Sequence, residues 1–171
     1  MTRTARLLAA ISLLAAAPAL AAGPSDSEIA HIAYTAGALD AAAAKQALAK
    51  TKNPDVRAFA EVMLRDHEAV NEKALALVKK LNVTPADNAT SQALAKQAKE
   101  TEAKLAALDG AAFDKAYAAN EAAFHRTVNG ALKDTLIPSA DNAELKGLLE
   151  TGLTLFGQHQ AHAEHLASGL K

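Results

Sequence analysis

The chain has 171 residues, with 18 Lys+Arg against 19 Asp+Glu, 45 alanines, 4% aromatic residues and no cysteine. A near-zero charge and a pI near 6.6 leave no electrostatic footprint for nucleic acid, and the lack of Cys excludes disulfide frameworks, thiolate metal sites and Cys nucleophiles. Abundant Ala, Leu, Lys and Glu with few β-branched residues predict helices rather than a β-sandwich or barrel, in one domain with a modest core.

Arg3 and Arg6 make a basic start, followed by an apolar run from Leu7 to Ala17, then Pro18 and the small-residue pattern Ala19-Leu20-Ala21. This is the layout of a secretory signal peptide over residues 1–21, with the mature domain spanning 22–171 and the protein exported to the periplasm. The competing reading, an N-terminal membrane anchor, fits less well because the run falls short of the roughly 20 apolar residues a spanning helix needs. Cleavage leaves 16 basic against 19 acidic residues, a net charge of −3.

The remainder reads as helices with recognisable stops and starts. Ser25 with Glu28 forms a capping-box pattern opening a helix to about Lys50. Asn53-Pro54 supplies an N-cap and a first-turn proline for a second helix to about Leu81. A polar link with Thr84-Pro85 and Asp87 leads to a shorter helix over about 91–108. Asp109-Gly110 breaks it, and a fourth helix is expected from about Ala111 to Leu136, ended by Pro138. Asp141 with Glu144 is read as the cap of a fifth, running to about Leu170. Four of these are about 25 to 30 residues, or roughly 40 Å, long. The prediction is an all-α fold: a four-helix bundle with one additional shorter helix between the second and third long ones.

The informative residues are polar ones on apolar stripes. His67 lies mid-helix on the face of Phe59, Met63, Val70 and Leu77. His159 lies on the stripe of Leu145, Leu149, Phe156 and Leu166, and Glu121 lies within that of Phe113, Tyr117, Phe124 and Val128, with His125 one turn on. Asp40 shares a face with Ile29, Ala36 and Ala44. Asp40 precedes Asn53 by 13 residues and His67 follows it by 14, so an antiparallel hairpin puts them at one level. Counting from Ala140 does the same for Glu121, His125 and His159. Axes 8–10 Å apart let inward side chains at one level converge on a single ion.

Two explanations compete. Asp40 could accept a hydrogen bond from His67, and Glu121 from His159, giving a polar core and nothing more. Burying several ionisable groups in one layer is costly, however, unless something coordinates them, and three imidazoles with one or two carboxylates suit one Zn, Cu, Ni or Fe ion. On this reading the metal ligands are His67, His125, His159, Asp40 and Glu121, with binding that weakens below about pH 6.5, the unperturbed histidine value. His31 and His165 are expected to face outward, and His159, His162 and His165, at spacing three, could form a surface metal cluster instead.

Asn53-Pro54-Asp55-Val56-Arg57-Ala58-Phe59-Ala60, then Met63, Asp66-His67 and Asn71, resemble the signature of a secreted bacterial family, domain-of-unknown-function 4142. The stretch from Gly110 to Tyr117, His125 and His159 are similar to its second half. The resemblance implies a ferritin-like helical bundle exported to the periplasm or envelope, with no established activity. The sequence does not fit a di-iron oxidase: Leu64, Ala122 and Phe156 stand three residues before His67, His125 and His159, so no Glu-x-x-His pair ends at an inner histidine. There is no phosphate loop and no Ser-His-Asp order, so the chain leans away from an enzyme. Two functions remain: a periplasmic metal-binding bundle for metal handling or oxidative and envelope stress, and a metal-free module that docks an envelope partner. The expected partner is the metal ion, with no nucleic acid and no transmembrane segment in the mature chain.

Overall fold

The helices begin where a side chain can receive their unpaired N–H groups. A computed structural model describes residues 23–170; the expected signal peptide lies outside them. In α1 (Asp26–Lys50), Ser25 and Glu28 cap each other reciprocally. In α2 (Pro54–Lys80), the Asn53 carboxamide accepts from the Asp55 and Val56 amides, with Pro54 in the first turn. α3 (Ala89–Ala106) starts two residues earlier than its apolar spacing suggests, because Asn88 and Ser91 form a second reciprocal cap. α4 (Gly110–Ala131) follows Asp109, whose side chain caps nothing and instead pairs with Lys50 at 3.1 Å. Gly110 has φ of +53°, a left-handed value that a side chain would strain.

Two further boundaries differ from the sequence-based expectation. Pro138 does not end the fourth helix at Leu136. The helix widens into a π segment, Leu132–Leu136, and continues as a single turn, α5 (Ile137–Ser139). Proline lacks the N–H that the Asp134 carbonyl would receive, and its ring crowds that carbonyl. Widening the turn, so that the Ile137 amide reaches back five residues to Leu132, accommodates it. The cap of α6 (Ala143–Gly169) is Asn142 rather than Asp141: its carboxamide accepts from the amides of Glu144 and Leu145. The Asp141 and Asn142 amides are themselves bound by the Asp26 carboxylate, tying the start of α6 to the start of α1.

The fold is all-α, with no strand among the described residues. α1 pairs with α2, α4 with α6, and contacts of α2 with α6 and of α1 with α4 close a four-helix ring. Arg57 clamps the first hairpin by donating to the carbonyls of Leu48 and Thr51. α3 lies outside the ring against α1 and α4. α1 and α2 approach closely at Gly37, where a Cβ would run into the Asn71 carboxamide. No helix among the described residues is long and apolar enough to cross a membrane.

The apolar core is divided in two. One cluster holds Ala44, Ala47, Val56, Phe59, Met63, Phe113, Tyr117 and Leu166. The other holds Ile29, Ile32, Leu132, Leu136, Leu145, Leu149 and Phe156. Asp40, His67 and His125 fall in sequence between the residues that their helices give to one cluster and to the other, and Glu121 lies one turn before His125, so a buried polar layer interrupts the core at mid-height.

Candidate metal centre

Each long helix sends at least one ionisable side chain into that layer: Asp40 from α1, His67 from α2, Glu121 and His125 from α4, and His159 from α6. None is more than 3% exposed. The three imidazoles form a nearly equilateral triangle, with ring centroids 5.5 Å apart for His67–His125 and 5.4 Å for His67–His159 and His125–His159. One donor atom from each lies within 4.8 Å of the others, and the same holds for Asp40, Glu121 and His125. His125 therefore joins an imidazole face to a carboxylate face. Asp40 Oδ2 stands 3.6 Å from Nε2 of both His67 and His125. The five residues predicted from the stripes are all in this layer.

The hydrogen bonds that do form leave ring nitrogens free. Nδ1 of His125 lies 3.0 Å from the Glu121 carbonyl, an acceptor only, so Nδ1 carries the proton and Nε2 keeps its lone pair. Nε2 of His159 lies 3.0 Å from the Asp66 carboxylate, so that nitrogen donates and Nδ1 keeps its lone pair. In both rings one nitrogen is held by a fixed oxygen and the other is left unpaired in the buried layer, as in metal-ligating histidines. The ring of Phe156 stacks on His67, with centroids 4.7 Å apart and planes 8° from parallel. Seven atoms in the layer lack a hydrogen-bond partner, short of a proton shared between the two carboxyls: both oxygens of Asp40, both nitrogens of His67, Nε2 of His125, Nδ1 of His159 and Oε2 of Glu121. Distances of 3.6 Å are too long for hydrogen bonds, so the simple pairing of Asp40 with His67 does not form. Nor does that of Glu121 with His159, whose partner is Asp66.

Burial sets the protonation states. It lowers His67 to about 3, helped by the neighbouring His125 and His159, and lowers His125 to about 4. It also lowers His159, although Asp66 pulls the other way. Burial pushes Asp40 up to about 7. Glu121 is raised well above its usual range, by burial and then by the charge of Asp40. At neutral pH the imidazoles are thus in the ligand form, Glu121 keeps its proton and Asp40 is near the midpoint of its ionisation. This revises the cause of the expected pH dependence: the protons an ion must displace near pH 7 sit on the carboxyls, not on the histidines.

Asp66, next to His67 in the motif, belongs to the site although the stripe pattern does not single it out. It sits one residue, and so about 100° of helix, away from His67, on the edge of the stripe where a solvated aspartate would sit. Although partial burial acts in the opposite sense, the Arg65 guanidinium 2.8 Å away and His159 hold its carboxyl below the usual range. Asp66→Asn should weaken metal binding about 10- to 100-fold without unfolding the protein, because it loosens the orientation of His159. Calorimetric titration beside a melting curve checks this. The remaining histidines stand apart: His31 faces Asp87 across 3.9 Å, exposed His162 packs edge-on to Phe59 at 5.0 Å, and His165 is exposed.

An all-α bundle with a buried layer of histidines and carboxylates is the class that this fold and site define. The chain belongs to the family described as Domain of unknown function (DUF4142), whose model matches residues 12–166. No curated protein and no solved structure matches it significantly.

Proposed function

We propose that the protein is a periplasmic metal-binding bundle. It would hold one transition-metal ion (Zn, Cu, Ni or Fe) through His67, His125 and His159, with Asp40 and Glu121 completing the shell, and serve in metal handling or in oxidative or envelope stress. The observation that carries this is the set of seven unpartnered donor atoms, from five residues on four helices, gathered in one buried layer. Left unpaired, each such group costs about 1–3 kcal/mol; one cation would satisfy several together. Neutral imidazoles and two carboxylates suit the borderline metals better than Mg²⁺ or Ca²⁺. Elemental analysis of protein purified from the periplasm without an affinity tag tests the reading. About one equivalent of a single transition metal is expected, whereas a metal-free protein carrying a bound envelope partner would favour the interaction-module alternative. Periplasmic export rests on the leader alone, and mass spectrometry of the exported protein should show Ala22 as the first residue.

The fold does not depend on the ion. Two apolar clusters flank the layer on either side, and the caps at Ser25, Asn53, Asn88 and Asn142 lie away from it. After chelation the far-ultraviolet circular dichroism should remain helical. The melting temperature should fall, by an amount corresponding to about 3 kcal/mol when the ion had been at a hundredfold excess over Kd.

A further inference from the structure

α3 is fastened at both ends and stands away from the bundle between them. At its start the Ala86 amide donates to the Ser27 carbonyl and the Asn88 carboxamide to that of Glu28. At its end Gln46 donates to the Glu102 carbonyl at 3.0 Å and Lys50 to that of Ala106 at 2.8 Å. Between these fastenings a cleft of about 390 Å³ separates α3 from α1 and α4. Small side chains such as Ala43 and Ala98 leave it unfilled, and Leu39, Leu94, Leu105 and Phe124 give it apolar walls. Asp40 and Glu121 also line it, and, a proton shared between them aside, both carry carboxylate oxygens with no hydrogen-bond partner. They are nine-tenths or more buried. Its charged lining is Asp40, Glu121 and Glu102 against Lys99 alone. The volume is within the ordinary range for small-molecule sites, roughly 300–1,000 Å³.

We propose that the cleft between α1, α3 and α4 binds a small organic cation, an apolar body carrying a primary ammonium head, with the body between Leu94 and Phe124 and the head donating to Glu121 and Asp40. An ammonium offers three donors and a positive charge to two carboxyls that, among the described residues, form no ion pair with a lysine or arginine. The apolar walls distinguish this site from a passage for a hydrated ion, which they would not favour. The site goes beyond the metal reading and does not require it. Because both occupants use the same carboxyls, each should weaken the binding of the other.

The test is calorimetric titration of the metal-free mature protein with hexylammonium, 1-hexanol and hexanoate. Hexylammonium should bind saturably and at least tenfold more tightly than hexanol, with hexanoate weakest. Ala98→Leu and Ala43→Leu, which fill the cleft, should each lower hexylammonium affinity at least tenfold while keeping Zn²⁺ affinity. Glu121→Gln should remove the preference for ammonium over alcohol. His159→Ala should remove Zn²⁺ binding and leave hexylammonium binding intact, so the two readings fail separately. Equal affinity for ammonium and alcohol, no binding of either, or unchanged hexylammonium binding in both cleft-filling variants would overturn the proposal. So would a slower uptake of Zn²⁺ by Ala98→Leu with no ammonium binding in the wild type, since the cleft would then be an ion route.

Discussion

His67→Ala is expected to abolish tight binding of Zn²⁺ and Cu²⁺, whereas His31→Ala and His165→Ala should bind as the wild type does. His67 is the only ring of the triad with both nitrogens unpartnered, and it lies about 5.5 Å from both other rings and 3.6 Å from Asp40. Its loss removes one of the three neutral imidazoles and leaves two, so that a four-coordinate shell would have to take both carboxyls, which must give up their protons to bind. We expect affinity to fall more than about 100-fold, a change of about 2.7 kcal/mol or more. The variant should fold, since the substitution removes a buried imidazole that makes no hydrogen bond and leaves both apolar clusters in place. Calorimetric titration of the three variants decides the matter. If His67→Ala binds normally and His165→Ala does not, the terminal histidines are the metal centre and the buried layer is only a polar core.

Asp40→Asn should separate metal binding from stability in the opposite direction. In the metal-free protein Asp40 holds its proton up to about pH 7, whereas in the unfolded chain it ionises near 3.8. A folded-state value raised in this way means that stability present below about pH 4 is lost as pH rises through 7. The asparagine variant removes that loss, and its amide can donate towards the Nε2 atoms of His67 and His125. Without metal at pH 8 it should be more stable than the wild type by on the order of 2 kcal/mol, or about 4–8 °C in Tm. Added Zn²⁺ should stabilise it far less than it stabilises the wild type. The histidines act with the opposite sign: His67 and His125 are lowered to about 3 and 4, so the stability present above pH 6.5 is lost as pH falls towards those values. Melting curves from pH 4 to 9, with and without chelator, give both slopes. In the wild type, Zn²⁺ binding near pH 7 should release protons from the carboxyls, seen as a dependence of the calorimetric heat on the buffer's ionisation enthalpy.

The all-α class, the four long helices with a shorter one between, and the five residues of the layer were legible in the chain itself. A 3.6-residue period shows which face of a helix is buried, and counting outward from Asn53-Pro54 shows which residues share a level, because helix rise is constant. The starts of α1 and α2 were legible for the same local reason: Ser25 and Asn53 bond to amides two or three residues away. Where two candidates stood side by side, local pattern was insufficient. Asp141 and Asn142 are both good caps, and the Asp26 carboxylate, which takes both their amides from more than a hundred residues away, favours the second. Pro138 signals a stop, yet a widened turn lets the helix pass it.

What only the tertiary structure decided is the detail on which the chemistry depends. Periodicity placed His159 inside the bundle, but its partner Asp66 is 93 residues away on another helix, and it is this bond that leaves Nδ1 rather than Nε2 unpaired in the layer. The protonation states were equally hidden. Each depends on burial and on at least one neighbour from another helix, which is why a layer that reads as ordinary histidines and acids holds its imidazoles neutral and its carboxyls raised above their usual range. The path of α3 and the cleft beneath it depend on long-range bonds from Gln46, Lys50 and Asn88. Local sequence sets which residues are helical and which face is apolar; only the packing of helices distant in sequence decides which polar atoms find partners and which are left free.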